Sequence, residues 1–337
     1  MKKFTKSCLI TALILFIIGA VFCGTFGMMG GFRQIDAVNK HRFGNLRYDL
    51  RNLMWGFRDT WYYDWDDDWD DESWTEMNNL RNSSDTASME CTNYSINDIS
   101  DIKIELGGEN LVISESEDEY IWINNSSGHD KVKYGNDGST FKLYSKRHVN
   151  FWKNISRGKI YLYLPKGITL ESIDMEMGAG NLDSIALDAD EINLEIGAAK
   201  FSIAGISGRE VDINIGAGEA TIDSISANEA NISVGAGSIS VKGMDVEDAS
   251  LEVGMGNIEV VGKISGDANI DCGMGNVNIT LEGSESDHNY NLDCAMGNIR
   301  VGNNKYSGLA SEKSIDNGSD SEFNVDCAMG NIDISFD

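Results

Sequence analysis

The sequence predicts an all-β chain: a parallel β-solenoid of about nineteen-residue coils, preceded by a single N-terminal transmembrane helix. Three observations predict it. One short motif, alternating apolar residues around a small-x-small corner, occurs eight times. Five successive intervals between its copies are nineteen residues each, and a fixed short period marks a solenoid. An uncharged apolar run at residues 7–31 follows Lys2, Lys3 and Lys6.

That run is read first, as a transmembrane anchor over residues 1–31. About 20 apolar residues at ~1.5 Å each span a bilayer core. A cleaved signal peptide is the alternative, although the apolar run continues through Phe26 and Met29. A lipoprotein cysteine at Cys23 is disfavoured by the bulky Phe22 before it. The three lysines favour a cytoplasmic N-terminus, whereas Arg33, Lys40, Arg42 and Arg47 pull the other way. Long domains translocate largely regardless of charge. The expectation is therefore a single-pass protein of the cell membrane with its main domain extracytoplasmic.

Residues 32–60 place Ile35, Val38, Phe43, Leu46, Leu50, Leu53 and Phe57 three to five apart, with basic residues between. This pattern predicts a basic amphipathic juxtamembrane helix, with a coiled-coil or packing stripe as the alternative. Residues 61–95 open with WYYDWDDDWDDESW, in which four Trp and two Tyr alternate with seven acids. Clustered carboxylates repel, so this segment reads as an acidic aromatic linker, or as a docking segment for a basic partner. Residues 96–170 change to short β runs, such as LVI at 111–113 and IYLYL at 160–164, and read as a β capping region.

Residues 171–337 carry the repeat. Its copies are MEMGAGNL, LEIGAAKF, INIGAGEA, ISVGAGSI, LEVGMGNI, IDCGMGNV, LDCAMGNI and VDCAMGNI, anchored at Gly178, Gly197, Gly216, Gly235, Gly254, Gly273, Ala295 and Ala328. The last two intervals lengthen to twenty-two and thirty-three, with the extra residues entering after the second strand of a coil. Period-two alternation means that one strand face is buried and the other solvated. The corner suits backbone that needs positive φ or close approach. An antiparallel hairpin stack is the alternative fold. The residue before each corner forms a column: Met177, Ile196, Ile215, Val234, Val253, Cys272, Cys294 and Cys327. These thiols replace aliphatic residues, which predicts reduced core cysteines.

On these eight corners and the upstream strands ending in IYLYLPKG, residues 96–337 resemble the putative-adhesin family of bacterial β-strand-repeat domains of unknown function. The resemblance implies an envelope-associated, non-catalytic domain, with some relatives tied to envelope-stress regulation. It supplies no catalytic or ligand residues. The acidic aromatic linker departs from simpler members.

Charge restricts the partners. Residues 1–60 hold nine Lys and Arg against three Asp, a net of +6, so the remainder of a chain at −27 carries −33. Such a body repels nucleic-acid phosphates and favours a protein, a cationic peptide or an envelope component. Catalysis lacks its constellation: His41, His129, His148 and His288 lie in different segments, and no nucleophile elbow, phosphate loop or HExxH occurs. No cofactor is expected. One metal possibility stands out, because Glu252, Asp271, Asp293 and Asp326 each lie two residues before a corner. Carboxylates one rung apart repel unless cations intervene, and calcium takes such oxygen ligands. The alternative is a solvated acidic face that discourages edge aggregation. Asn257, Asn276, Asn298 and Asn331, three residues past the anchors, predict an amide ladder. The function expected is a membrane-anchored envelope scaffold, interaction module or stress sensor. A surface adhesin and a polysaccharide-active β-helix enzyme are the alternatives.

Overall fold

The computed structural model describes residues 90–95, 99–125, 132–145, 159–307 and 311–337. The anchor and the juxtamembrane helix lie outside the described residues, as does most of the acidic linker. Among the described residues no helix is long and apolar enough to cross a membrane.

The chain is all β. Strand β1 (Glu90–Ser95) is built from the last residues of the segment read as linker. The first coil is β2 (Asp101–Leu106) and β3 (Asn110–Ser116). Then β4 (Tyr120–Asn125) and β5 (Val132–Asp137) precede a coil of β6 (Thr140–Ser145) and β7 (Lys159–Pro165). The uninterrupted run starts with β8 (Leu170–Met177), β9 (Asn181–Ser184), β10 (Leu187–Ile196) and β11 (Lys200–Ile203). It continues with β12 (Ile206–Ile215), β13 (Glu219–Ile222) and β14 (Ile225–Val234). Strand β15 (Ser238–Val253) ends one coil and begins the next. Then come β16 (Asn257–Ile264), β17 (Ala268–Cys272) and β18 (Asn276–Leu281).

A 3-10 turn at Glu285–Asp287 leads into β19 (Asn289–Cys294) and β20 (Asn298–Val301). After them lie β21 (Asn304–Ser307) and β22 (Ser311–Ile315), and the chain closes with β23 (Glu322–Cys327) and β24 (Asn331–Phe336).

Coils pair in parallel, each residue opposite the one nineteen positions on: Ile196 meets Ile215, Ile215 meets Val234 and Val234 meets Val253. Parallel pairing at the repeat offset excludes the hairpin stack. Residues before the corners form one ladder and residues after them a second. Their inner faces enclose a core in which Phe141, Phe201, Tyr290 and Phe323 are fully buried. Corner backbones also bond rung to rung, as in Gly254 N to Val234 O at 2.9 Å and Met274 N to Gly254 O at 2.7 Å.

The stacking order departs from chain order at both ends. Strand β8 pairs with β2, and β2 with β6, so the coil of residues 101–116 sits inside the later coil of residues 140–165. At the other end β17 pairs with β23, and β23 with β19. The last coil is thus inserted between its two predecessors. The region read as a cap is itself two further coils, and the solenoid begins at residue 101 rather than 171. Antiparallel strands close the exposed edges: β5 on β6, β4 on β7, β22 on β19 and β21 on β20. Capping of this kind blunts edges that would otherwise template association.

The corner glycines answer to close approach. A Cβ on Gly275 would lie 2.2 Å from Val253 Cγ1 and 2.3 Å from Gly256 O. On Gly330 it would meet Cys272 Sγ and Gly275 O, each at 2.4 Å. The second corner position lies directly over the pre-corner side chain of the neighbouring rung. Neither glycine has a positive φ.

Candidate functional site: an acidic face beside a methionine corner

The pre-corner column is core, as the alternation predicts. Met177, Ile196, Ile215, Val234, Val253, Cys272, Cys327 and Cys294 are all buried. Register extends it outward through Leu106 to Ser145, whose hydroxyl donates to Glu109 at 2.5 Å. The three described thiols are free and adjacent in the order Cys272, Cys327, Cys294. The hydrogen bond that Cys272 shares with Cys327 lowers the pKa of Cys272 and raises that of Cys327. Burial pushes Cys294 up. These are packing residues.

The sequence-predicted acids form a single row on the outer face, in a spliced order. Glu252 pairs with Asp271, Asp271 with Asp326, and Asp326 with Asp293. Strand β22 adds Glu312 opposite Asp293, which sequence reasoning missed because β22 runs antiparallel. Five carboxylates therefore cross five neighbouring strands. Burial, with Asp293 beside it, pushes Asp326 above the ordinary carboxylate range. The same row carries a second acidic group at its other end, where Glu105 pairs with Glu176 and Glu176 with Glu195. Burial first, then Glu195 and Glu105, push Glu176 up to about 7.

Among the described residues no three His, Cys, Asp or Glu side chains converge on a point that could hold a metal ion. One carboxylate per rung makes a file, and calcium needs six to eight oxygens around one centre.

Across the corner, the asparagine ladder is present with the same splice. Asn276 donates to Asn257 at 2.8 Å, Asn331 to Asn276 at 3.0 Å and Asn298 to Asn331 at 2.9 Å. A second ladder runs Asn324 to Asn269 and Asn291 to Asn324, each at 3.2 Å. Both follow the spliced order that the backbone pairing sets.

Sequence reasoning also passed over the apex. The middle corner residue is Ala179, Ala198, Ala217 and Ala236 in the earlier coils. It becomes Met255, Met274, Met329 and Met296 in the last four, and these are 60%, 55%, 52% and 62% exposed. The signal was in plain view as GAG turning into GMG and AMG.

His288 is structural. It is buried, its Nδ1 lies 2.8 Å from Ser321 Oγ, and its ring stacks on Phe323 at 4.2 Å. Ser321 in turn donates to the Gly266 carbonyl. This links the spliced coil to its neighbours. The other three histidines lie outside the described residues. A groove of about 280 Å³ on the second ladder is lined by residues that include Glu219, Thr221, Ser240, Glu259 and Asn278.

Fold and surface together define a class: a spliced, edge-capped parallel β-solenoid, a repeat protein whose outer face is acidic. The chain belongs to the Toastrack DUF4097 family, whose profile matches residues 99–335. Solved structures with a similar arrangement include a putative adhesin of Bacteroides fragilis, at 12% identity and a TM-score of 0.42, covering 73% of this chain and 97% of that one. Another is a putative lipid binding protein of Parabacteroides distasonis, at 16% and 0.44, covering 74% and 96%. A putative adhesin of the same organism matches at 13% and 0.38, covering 74% and 97%. No curated protein matches the chain.

Proposed function

We propose that this chain is a membrane-anchored, non-catalytic interaction module whose solenoid stands outside the cytoplasm and presents its acidic face to a protein or envelope component. The row Glu252, Asp271, Asp326, Asp293 and Glu312 carries the reading. Like charges held one rung apart, about 4.8 Å, concentrate negative potential along one line of the surface. A cationic partner is drawn to that potential. Rigid parallel rungs hold the row in fixed geometry, which favours recognition over turnover.

The test has two arms. A membrane-impermeant maleimide labels Cys91 on intact cells, while Cys272, Cys294 and Cys327 are silent because they are buried. Labelling only after lysis removes the extracytoplasmic part of the reading. In the second arm, the full chain is crosslinked on cells and its partners recovered at low and high salt. Partners lost from an Asp271→Asn, Asp326→Asn variant support the reading. Capture that ignores both salt and these substitutions sinks it.

A further inference from the structure

We infer that the methionine corner and the acidic row beside it form one docking strip for a basic amphipathic helix of a partner protein. This rests on the reading of the acidic face as an interaction surface, and adds the apolar half of the contact and the shape of the ligand.

Four of the six exposed large hydrophobic residues among the described residues are Met255, Met274, Met329 and Met296. They are consecutive along the stack: Met274 N bonds to Gly254 O, Met329 N to Gly273 O and Met296 N to Ala328 O. A continuous thioether ridge results, about 14 Å long at ~4.8 Å per rung. Exposed apolar ridges rimmed by polar groups mark contact sites. Methionine is the adaptable choice for holding varied apolar faces.

The earlier coils show that the fold has no need of methionine here, since Ala198, Ala217 and Ala236 make the same corner. The exchange to methionine occupies the same coils that carry Glu252, Asp271, Asp326 and Asp293. Apolar ridge and carboxylate row therefore run side by side, one on the apex and one on the adjoining outer face. A helix laid along the stack returns its apolar face every ~5.4 Å, close to the rung spacing, and about 13 of its residues span the five acidic rungs. Basic residues beside its apolar stripe meet the row. Recognition of amphipathic helices combines apolar anchors with flanking charge in this way.

The experiment measures binding of a fluorescent amphipathic Leu/Lys helix of about 18 residues to the purified full chain by anisotropy. A scrambled peptide of the same composition, an oligolysine and anionic vesicles serve as comparison ligands. Met274→Ala with Met329→Ala recreates corners the repeat already uses, so unchanged melting is expected of it. The expected result is binding at least tenfold weaker for this pair and within about twofold of wild type for Met274→Leu with Met329→Leu. Asp271→Asn with Asp326→Asn weakens binding and flattens its salt dependence.

Wild-type affinity in the alanine pair overturns the strip. If the asparagine pair still loses binding in that case, the acidic face survives as a separate reading. Equal loss in the leucine and alanine pairs assigns the site to thioether chemistry and overturns helix docking. Vesicle binding that alone depends on the methionines replaces the helix with a membrane. If neither the helix nor the oligolysine binds, the strip and the acidic interaction face fall together.

Discussion

Glu176 shows what a parallel stack does to a single ionisable side chain. Its register partners are Glu105 on one side and Glu195 on the other, and it is only partly solvated. Burial disfavours the charged form first, and the flanking Glu195 and Glu105 carboxylates add to it, so the folded-state pKa rises from 4.5 to about 7. The native state consequently binds a proton that the unfolded chain releases between those values. Stability from this group is fully present below pH 4.5 and is lost as pH rises to about 7. Glu176→Gln removes the effect. The variant should match wild type at pH 4.5 and exceed it at pH 8 by about 1 kcal/mol, discounted for solvent screening. Urea unfolding at the two pH values checks this. A constant difference between them would mean that the folded state does not hold the Glu176 proton above its ordinary range.

At the scale of the element, the unit is the corner, and its two glycines are not equivalent. The first position holds a methyl group in two coils, at Ala295 and Ala328, and the second in one, at Ala199, so the cost of a methyl group is set coil by coil. A Cβ on Gly273 would meet Gly254 O at 2.9 Å, a single clash that a small backbone shift must relieve. The second position lies over the neighbour's pre-corner side chain, and at Gly275 both clashes, with Val253 and with Gly256 O, fall near 2.2–2.3 Å. Gly275→Ala should cost about 1–3 kcal/mol as an overpacking change, and Gly273→Ala distinctly less. Thermal melts of the pair decide it, and equal shifts would contradict the geometry.

Much of this element was legible in the sequence. The buried column from Met177 to Val253 follows from the nineteen-residue offset, and the asparagine ladder from the shared place of its members three residues past each corner anchor. The splice of the last coils was not legible. Rung order is set by which edge a returning strand meets, and the 22- and 33-residue intervals announced an interruption without its direction. The first two coils escaped for a related reason: their strands are separated by β4 and β5, so no fixed period reveals them. In the candidate site, four of the five acids of the row were legible from their place before the corner. Glu312 was not, because it arrives on an antiparallel strand outside the repeat. The methionine ridge is written in the sequence at the middle corner position, but only the stacking order makes it continuous.

For the whole molecule, the dominant long-range term is charge. Residues 61–337 carry a net −33, and the acidic row concentrates part of it on one face. Carboxylates about 4.8 Å apart lie well inside the ~10 Å screening length of 0.1 M salt, so they repel through any ordinary buffer. Raising ionic strength should stabilise the folded solenoid, whose rungs hold charges closer together than an unfolded chain does. Calcium separates screening from coordination. A cage would gather six to eight oxygens, whereas Glu252, Asp271, Asp326 and Asp293 contribute one carboxylate per rung along a line. Screening depends on valence, so calcium and magnesium at equal millimolar concentration should raise Tm by the same amount. Asp271→Asn with Asp326→Asn, neighbours in the stack though not in the chain, should reduce both responses equally. A calcium shift clearly above that of magnesium, and abolished by this pair, would show that the file closes around a specific ion and that the acidic face is a metal site first.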